Sequence, residues 1–391
     1  MSVSENHFSQ KSQEWSTSFR LRQHLQASWQ PHIQQQNLAL NQFQDWELAQ
    51  SRAAYLRAET LQNLAQQLET FETNFKKQGG DLLWASNAEA AQAHLRQLIR
   101  RYGLDTLAYS QALILLEINL PEWEGSLALS PTGQPKGQAL LPAWLAQLAP
   151  PLPEETLEDP PPHTGAAIPS VLRVTSADFM VADTGVLVMI DADGTHTALL
   201  SQSQPLVVVM GLEQVLARLE DVELMASIKH IHREAKPHFA QLLLAGPAPT
   251  SPLHLILLDN GRSQLWRHPY LHEALQCIGC GACSRACPLV PLTAASDQGL
   301  YPGPIGAILN PFLAKARVAK PSLIDTSPLC GACSSACPVG IDLQNLLHQQ
   351  RVHRPRPFWQ KVKTWWPFRN RLPFLKAVQK FAAVQGAVRK R

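Results

Sequence analysis

All seven cysteines of the 391-residue chain lie in two short motifs between residues 277 and 337. The first motif reads Cys277-Ile-Gly-Cys280-Gly-Ala-Cys283-Ser-Arg-Ala-Cys287-Pro288. Its C-x2-C-x2-C-x3-C-P spacing is typical of bacterial iron–sulfur ligation, and its small residues permit the tight backbone turn that a cluster needs. A zinc site or buried thiols are the alternatives, but zinc motifs rarely contain the C-x3-C-P step. The motif therefore predicts an iron–sulfur site.

The second motif, Ser327-Pro-Leu-Cys330-Gly-Ala-Cys333-Ser-Ser-Ala-Cys337-Pro338, repeats the first but begins with serine. In two-cluster ferredoxins the fourth cysteine of each run ligates the other cluster. That rule assigns [4Fe-4S] cluster 1 to Cys277, Cys280, Cys283 and Cys337, and cluster 2 to Cys287, Cys330 and Cys333. Cluster 2 lacks a fourth cysteine. It is therefore a [3Fe-4S] cluster, or a [4Fe-4S] cluster whose fourth iron is labile or bound by Ser327, with a labile iron favoured.

Two clusters in one module suit electron transfer, because each cluster accepts one electron at a time. Such a module links a two-electron donor to a one-electron acceptor. The chain contains no G-x-G-x-x-G after a strand, which disfavours a self-contained nicotinamide or flavin dehydrogenase. A regulatory or interaction protein, whose labile second cluster senses oxygen or iron, is the alternative function.

The confinement of cysteine to one window differs from a secreted disulfide scaffold, whose cysteines are scattered to link loops. The first residues lack the apolar segment of a signal peptide, and no run of 18 apolar residues suggests a membrane span. These features predict a cytoplasmic protein. Residues 351–391 carry twelve Lys or Arg and no Asp or Glu, together with Trp359, Trp365 and Trp366. This basic segment suits a partner subunit or peripheral contact with the anionic inner face of a membrane, rather than nucleic acid.

The elements that position these motifs are predicted from apolar periodicity. Helices are expected from residue 5 to about 78, ending near Gly79-Gly80, and at 87–102 with Asn87 as the N-cap. Further helices are expected at 211–219 and 221–230, and strands at 81–85, 185–190, 204–210 and 253–258. Strands that alternate with helices predict a mostly parallel α/β sheet. The predicted divisions are a helical region 1–78, an α/β domain 79–267 with a Pro-rich insertion 148–163, an iron–sulfur domain 268–350, and the tail 351–391.

The cysteine motifs and Tyr301-Pro-Gly-Pro-Ile-Gly306 resemble the iron–sulfur domain of the lactate utilization protein B family. Upstream, Ala177-Asp178, the segment 181–185 and the segment 259–263 resemble the LUD domain of that family. The resemblance implies an α/β fold like those of sugar-phosphate isomerases and CoA-transferases, followed by a small helical ferredoxin-like domain. It also implies L-lactate oxidation to pyruvate, together with a cysteine-rich redox subunit and a second LUD protein.

The LUD segment departs from the family pattern in two places. No Lys-Ser-Lys-Ser-Met stretch occurs near residues 104–120, and Asp191-Ala-Asp193-Gly194 replaces an Asn-Glu-Gly-Asn turn. The chain is also shorter than typical family members. A diverged paralogue that serves another electron donor is therefore an open interpretation.

Several residues outside the cysteine motifs are candidates for a pocket or an interface. Asp183 and Gly185 line a LUD pocket in one interpretation and form a polar turn in the other. Asp259, Asn260 and Arg262 follow a strand, where ligands of α/β sheets bind. Arg262 there either holds a carboxylate or lies at the domain interface.

Other polar residues have plainer interpretations. Asp191 and Asp193 are expected in a solvated hairpin turn. His230, His232 and His238 are interpreted as ordinary histidines rather than metal ligands. Tyr301-Pro-Gly-Pro304 is expected to be too rigid for a helix and to pack across the clusters.

Overall fold

The computed structural model describes residues 34–110, 112–123, 126–129, 135–136, 171–191, 194–200, 205–236, 241–246, 252–290, 299–313 and 323–353. The described residues up to Gln349 form one compact unit. The predicted insertion at 148–163, residues Asp193 and His238, and the tail beyond residue 353 lie outside the described residues.

The described N-terminal part is helical, as the sequence predicts. Residues 34–40 are helical, and α1 (Trp46–Gln62) and α2 (Leu64–Lys77) follow. Asp45 caps α1 by accepting a hydrogen bond from the Leu48 N–H at 2.9 Å. After α2, Gly79 adopts a left-handed φ of 94°, which confirms the predicted end of the helix near Gly79-Gly80.

A seven-stranded sheet forms the centre of the α/β domain, in the order β1-β11-β8-β5-β2-β3-β4. All of its neighbours pair in parallel except β3 and β4. Its strands are β1 (Asp81–Ala85), β2 (Thr106–Tyr109), β3 (Ser126–Leu129), β4 (Pro135–Lys136), β5 (Val171–Thr175), β8 (Leu206–Gly211) and β11 (Leu253–Leu258).

The central strands are buried on both faces, because successive side chains point to opposite sides of the sheet. Leu255 and Leu257 belong to one core, and Ile256 and Leu258 belong to the other. The second core includes α3 (Ala88–Tyr102) and α4 (Leu113–Glu117). Asn87 caps α3 by accepting from the Ala90 N–H, as predicted.

A smaller sheet has the order β10-β7-β6-β9. Its strands are β6 (Phe179–Val181), β7 (Val186–Asp191), β9 (Val215–Leu216) and β10 (Gln241–Ala245). The predicted helix at 211–219 is wrong, because buried Val215 and Leu216 pair with β6 as a short strand. The neighbouring helices are α5 (Thr195–Leu200) and α6 (Val222–Glu234), and α6 confirms the helix predicted from residue 221.

Short helices dominate the cysteine-bearing segment, as its small α-helical class predicts. They are α7 (Arg262–Trp266), α8 (Ala282–Ala286), α9 (Gly303–Leu313), α10 (Leu323–Thr326), α11 (Ala332–Ser335) and α12 (Leu343–His353). The expectation that Tyr301-Pro-Gly-Pro304 excludes a helix is wrong for its second half. Helix α9 begins at Gly303, and Pro304 is tolerated in a first turn, where backbone N–H groups have no helical partner.

Candidate functional site

The seven thiols fall into two groups in space. The Cys283 thiol interacts electrostatically with those of Cys277, Cys280 and Cys337. The Cys333 thiol interacts with those of Cys287 and Cys330. Each group combines cysteines from both motifs, which lie about fifty residues apart in sequence. That these groups ligate two clusters in the crossed manner stays a prediction.

Burial and mutual repulsion hold the thiols of the first group in their protonated form. Burial, with Cys280 next, raises the pKa of Cys277 to about 12, and burial with Cys280 raises the pKa of Cys337 to about 11. A coordinated thiol is deprotonated outright. Metal binding at this group must therefore release protons.

The second group includes one cysteine at the surface. Cys330 is exposed, whereas Cys287 and Cys333 are buried. Cys283 lies within α8 and Cys287 directly follows that helix. One short helix thus connects the two groups.

A cavity of about 600 Å³ lies beside the first thiol group. One side is formed by residues that follow four neighbouring parallel strands, namely Ser110, Ser176, Gln214 and Arg262 after β2, β5, β8 and β11. The four thiols of the first group line the same cavity. Ligands of α/β sheets bind at the carboxyl ends of the strands, so this cavity is where a small molecule would meet cluster 1.

Helix α6 contributes cationic side chains to the same cavity. Lys229 is buried, bonds Asp178 at 2.8 Å, and lies over the Phe179 ring. Burial opposes the Asp178 carboxylate, but Lys229 and Arg233 lower the pKa of Asp178 below its ordinary value. His230 is also buried and lines the cavity, whereas the His232 ring packs on Trp46 instead.

Arg57 on α1 fixes the chain just before the first cysteine. Its guanidinium is 1% exposed and donates to the carbonyl oxygens of Gln276, Leu275, Val215 and Glu213 at 2.7 to 3.1 Å. Burial lowers the pKa of Arg57 to about 10, while Glu213 and Cys277 oppose that shift. The group therefore stays charged at neutral pH. The sequence carries no sign of this role, because all four partners are backbone atoms distant along the chain.

Arg262 is held in a buried ionic network. Its guanidinium donates to both carboxylate oxygens of Glu117 at 2.8 and 3.0 Å and to Glu213 at 2.6 Å. Tyr301 donates its hydroxyl to Glu117 at 2.5 Å, and Asn260 donates to the same carboxylate at 2.8 Å. The network joins the α/β domain to the cysteine-bearing segment. Arg262 thus holds carboxylates of its own chain at the domain interface while also lining the cavity.

Burial and the neighbouring carboxylates shift the pKa values of Arg262 and Tyr301 in this network. Burial works against the Arg262 cation, but Glu213 and Glu117 raise the pKa of Arg262 well above its ordinary value. Burial and Glu117 raise the pKa of Tyr301 well above its ordinary value, so Tyr301 remains a hydroxyl donor. A lone Glu in the apolar run 113–120 was the sequence signal for this network, since a charge in a core needs a partner.

The turn 259–262 packs against α9. Asp259 accepts hydrogen bonds from the backbone N–H and the hydroxyl of Ser263, both at 2.6 Å. Gly261 has a φ of 99°, and a Cβ there would lie 2.4 Å from the Phe312 carbonyl oxygen. Only glycine permits this close approach.

Asp183 and Gly185 lie in the turn between β6 and β7 and are not among the cavity-lining residues. Asp183 is exposed, and a Cβ on Gly185 would meet the α2 backbone.

Asp191 does not lie in the solvated turn that the sequence predicts. It is 1% exposed at the end of β7 and accepts hydrogen bonds from the N–H groups of His196 and Thr197, so it caps α5 instead of lying in a solvated turn.

Metal-ligand groups and membrane spans are both missing from the part of the chain that the structure describes. No group of three or more His, Cys, Asp or Glu there could hold a metal ion together. A [4Fe-4S] cluster does not require such a group, because its four cysteines are shared among four irons. None of the described helices is both long and apolar enough to cross a membrane.

Comparison with known families agrees with this two-part arrangement. The LUD domain family matches residues 165–257, and the 4Fe-4S dicluster domain family matches residues 273–341. The chain therefore contains a LUD domain followed by a 4Fe-4S dicluster domain, and it is similar to lactate utilization protein B. Lactate utilization protein B of Bacillus cytotoxicus is 26% identical over 347 residues, covering 80% of this chain and 73% of the relative. The Bacillus licheniformis protein of that name is 28% identical over 354 residues with the same coverage.

A solved structure also resembles part of the chain. A DUF162 family protein from Deinococcus radiodurans is 17% identical and aligns to 50% of this chain and 98% of its own, with a TM-score of 0.32. That TM-score is too low to carry an argument. The LUD match and the mixed α/β sheet confirm the predicted fold class.

The donor chemistry of the dicluster domain fits iron–sulfur clusters. Four cysteines form the first group, which is the ligand set of a [4Fe-4S] cluster. Backbone N–H groups of Gly279 and Ile341 point at the sulfurs of Cys277 and Cys337, each at 3.4 Å. Such bonds to cluster sulfurs tune reduction potential.

Proposed function

We propose that this LUD-domain protein is the iron–sulfur electron-transfer subunit of a complex that oxidises a hydroxy acid, with L-lactate to pyruvate as the reaction. The observation that carries the proposal is the cavity between the carboxyl ends of the sheet and the first thiol group. The name of the relatives supports lactate as the substrate.

The burial of the two thiol groups gives electron flow a direction. The first group borders the cavity, and the second includes exposed Cys330. When bound, each cluster accepts one electron, so the pair matches the two electrons released when lactate becomes pyruvate and two protons. We infer that electrons enter at the cavity and leave near Cys330.

Side chains around the cavity suit a small carboxylate. Lys229, Arg233 and Lys236 supply positive charge, while Ser110 and Gln214 supply neutral hydrogen-bonding groups at the sheet edge. Tyr301 and Leu309 also line the cavity. These residues bind and orient a ligand in the proposal, and the buried ion pair of Asp178 and Lys229 lies among them.

The partners in the proposal are a cysteine-rich redox subunit and a second LUD protein. The basic segment 351–391 would contact a partner or an anionic membrane surface from the cytoplasmic side. Loss of vesicle binding after deletion of residues 354–391 would favour the membrane over a protein partner.

The test is electron paramagnetic resonance of the anaerobically purified complex before and after addition of L-lactate. Reduction of the clusters within one turnover time is expected with L-lactate and not with D-lactate. Cys280→Ala should abolish the cluster 1 signal and the reduction of cluster 2 by lactate. Clusters that stay oxidised with L-lactate but are reduced by another donor would refute lactate, and a colourless chain holding only zinc would refute electron transfer.

A second candidate function is favoured by the exposure of Cys330. A cluster whose edge meets solvent loses iron readily, so the chain would then be a sensor of oxygen or iron. Air exposure that changes partner binding in step with iron loss would support this function. Partner binding that is the same with and without iron would exclude it.

A further inference from the structure

The two cysteine motifs fold into matching turns, and Ser327 occupies the place of Cys277. In the first motif the Gly279 N–H donates to Cys277 Sγ at 3.4 Å. In the second, the Leu329 N–H donates to Ser327 Oγ at 3.2 Å. The leading side chain is therefore held by the backbone two residues later in both turns.

The second turn has left-handed φ values at the same motif positions as the first, including one position that a leucine occupies. Gly279 has a φ of 71°, and Leu329, at the same position of its motif, has a φ of 55°. Gly281 and Gly331 have φ values of 75° and 80° and precede α8 and α11. Leucine rarely adopts a left-handed conformation, and such strain persists where the surrounding structure requires it.

The cysteines around the two turns also correspond in position. In the first group, Cys277 joins two cysteines of its own motif and one from the other. In the second group, Cys330 and Cys333 of the motif meet Cys287 from the other motif. The one position without a sulfur is the one that Ser327 fills.

We propose that Ser327 Oγ is the fourth ligand of cluster 2, which is therefore a [4Fe-4S] cluster with three thiolates and one alkoxide. Ligation removes the hydroxyl proton, as metal binding does for thiols. The inference rests on the cluster assignment in the proposed function. The cysteine spacing alone favours a labile fourth iron in cluster 2. With Ser327 as a ligand, that iron is bound by the protein.

The experiment counts iron and sulfide in the anaerobically purified full chain, with electron paramagnetic resonance to identify the cluster type. The native chain and Ser327→Cys should each hold about eight irons. Ser327→Ala should hold about seven and show a three-iron signal. Ser335→Ala is the matched control, because Ser335 is exposed in the same motif and its hydroxyl donates to the Gly331 carbonyl oxygen. It should match the native chain.

Each other outcome overturns the proposal. If the native chain holds about seven irons and only Ser327→Cys gains one, the serine is a turn residue and not a ligand. If both the native chain and Ser327→Ala hold about eight, another group binds the fourth iron. Ser327→Thr keeps the hydroxyl and should retain the native count should Ser327→Ala fail to fold. A native chain without any cluster would instead overturn the cluster assignment itself.

Discussion

The buried carboxylate of Glu117 should be worth about 3 kcal/mol of folding stability, and its removal tests how the two domains are joined. The Glu117 side chain is 0% exposed and that of Arg262 is 2% exposed. In Glu117→Ala, Arg262 loses both bonds to this carboxylate and keeps Glu213, while Tyr301 loses its acceptor. Removing one partner of a buried ion pair costs about 3–5 kcal/mol, because the other charge stays buried. The remaining bond to Glu213 places the expected loss at the low end.

Urea unfolding followed by far-UV circular dichroism measures this loss in the free energy of unfolding. Glu122→Ala is the matched control, because Glu122 is exposed five residues away, and surface substitutions usually change stability by less than about 0.5 kcal/mol. Glu117→Gln keeps the shape and one acceptor but not the charge, so it should fall between the two. A loss of less than about 1 kcal/mol in the free energy of unfolding of Glu117→Ala, well below the range for buried pairs, would show that this network does not stabilise the contact between the domains.

Two further predictions concern charge. Arg57→Gln removes a buried positive charge beside Cys277, so the midpoint potential of cluster 1 should fall by about 59 mV, a tenfold change for one electron. Arg52→Gln, on the exposed side of the same helix, should leave it unchanged in a redox titration. Burial lowers the pKa of His254, with Asp81 opposing that shift. The pKa of His254 is therefore lower in the folded than in the unfolded protein. The contribution of His254 to the free energy of unfolding is present above about pH 6.5 and is lost as the pH falls through the folded pKa. The slope of unfolding free energy against pH should flatten in His254→Gln, and an unchanged slope would refute the assignment.

The sequence predicts those features that depend on local pattern. Cysteine spacing predicts two ligand sets before any fold is known, because each motif is a self-contained turn. The same holds for the strands at 81–85 and 253–258 and for Asn87, whose cap needs only a helix beginning beside it. The prediction that 81–85 is buried is wrong in part, because Trp84 is 45% exposed. The matches to the LUD and dicluster domain families agree with the predicted α/β fold class and iron–sulfur chemistry.

Features that depend on distant partners could not be predicted. Arg57 is one Arg in a polar helix, and its acceptors lie more than 150 residues away. The helix expected at 211–219 fails because Val215 and Leu216 gain a strand partner in β6. Asp191 precedes an Asp-Gly pattern that favours a hairpin turn, yet its carboxylate caps a helix instead. Tertiary partners override local preference in the first two cases, whereas the N–H groups that Asp191 accepts from lie only five and six residues along the chain.

The shared core explains why cluster content and the LUD domain should depend on each other. Cys280, Cys283, Cys333 and Cys337 belong to the same hydrophobic core as strands β6, β7 and β8. Arg57 and Arg262 cross the same boundary with hydrogen bonds to Gln276 and Tyr301. Loss of cluster 1 would leave buried thiols without their ligand at the wall of the cavity, so the residues that follow β8 and β11 would lose support. A ligand in that cavity and a cluster at its wall would therefore stabilise the same set of contacts, so each is expected to strengthen the binding of the other.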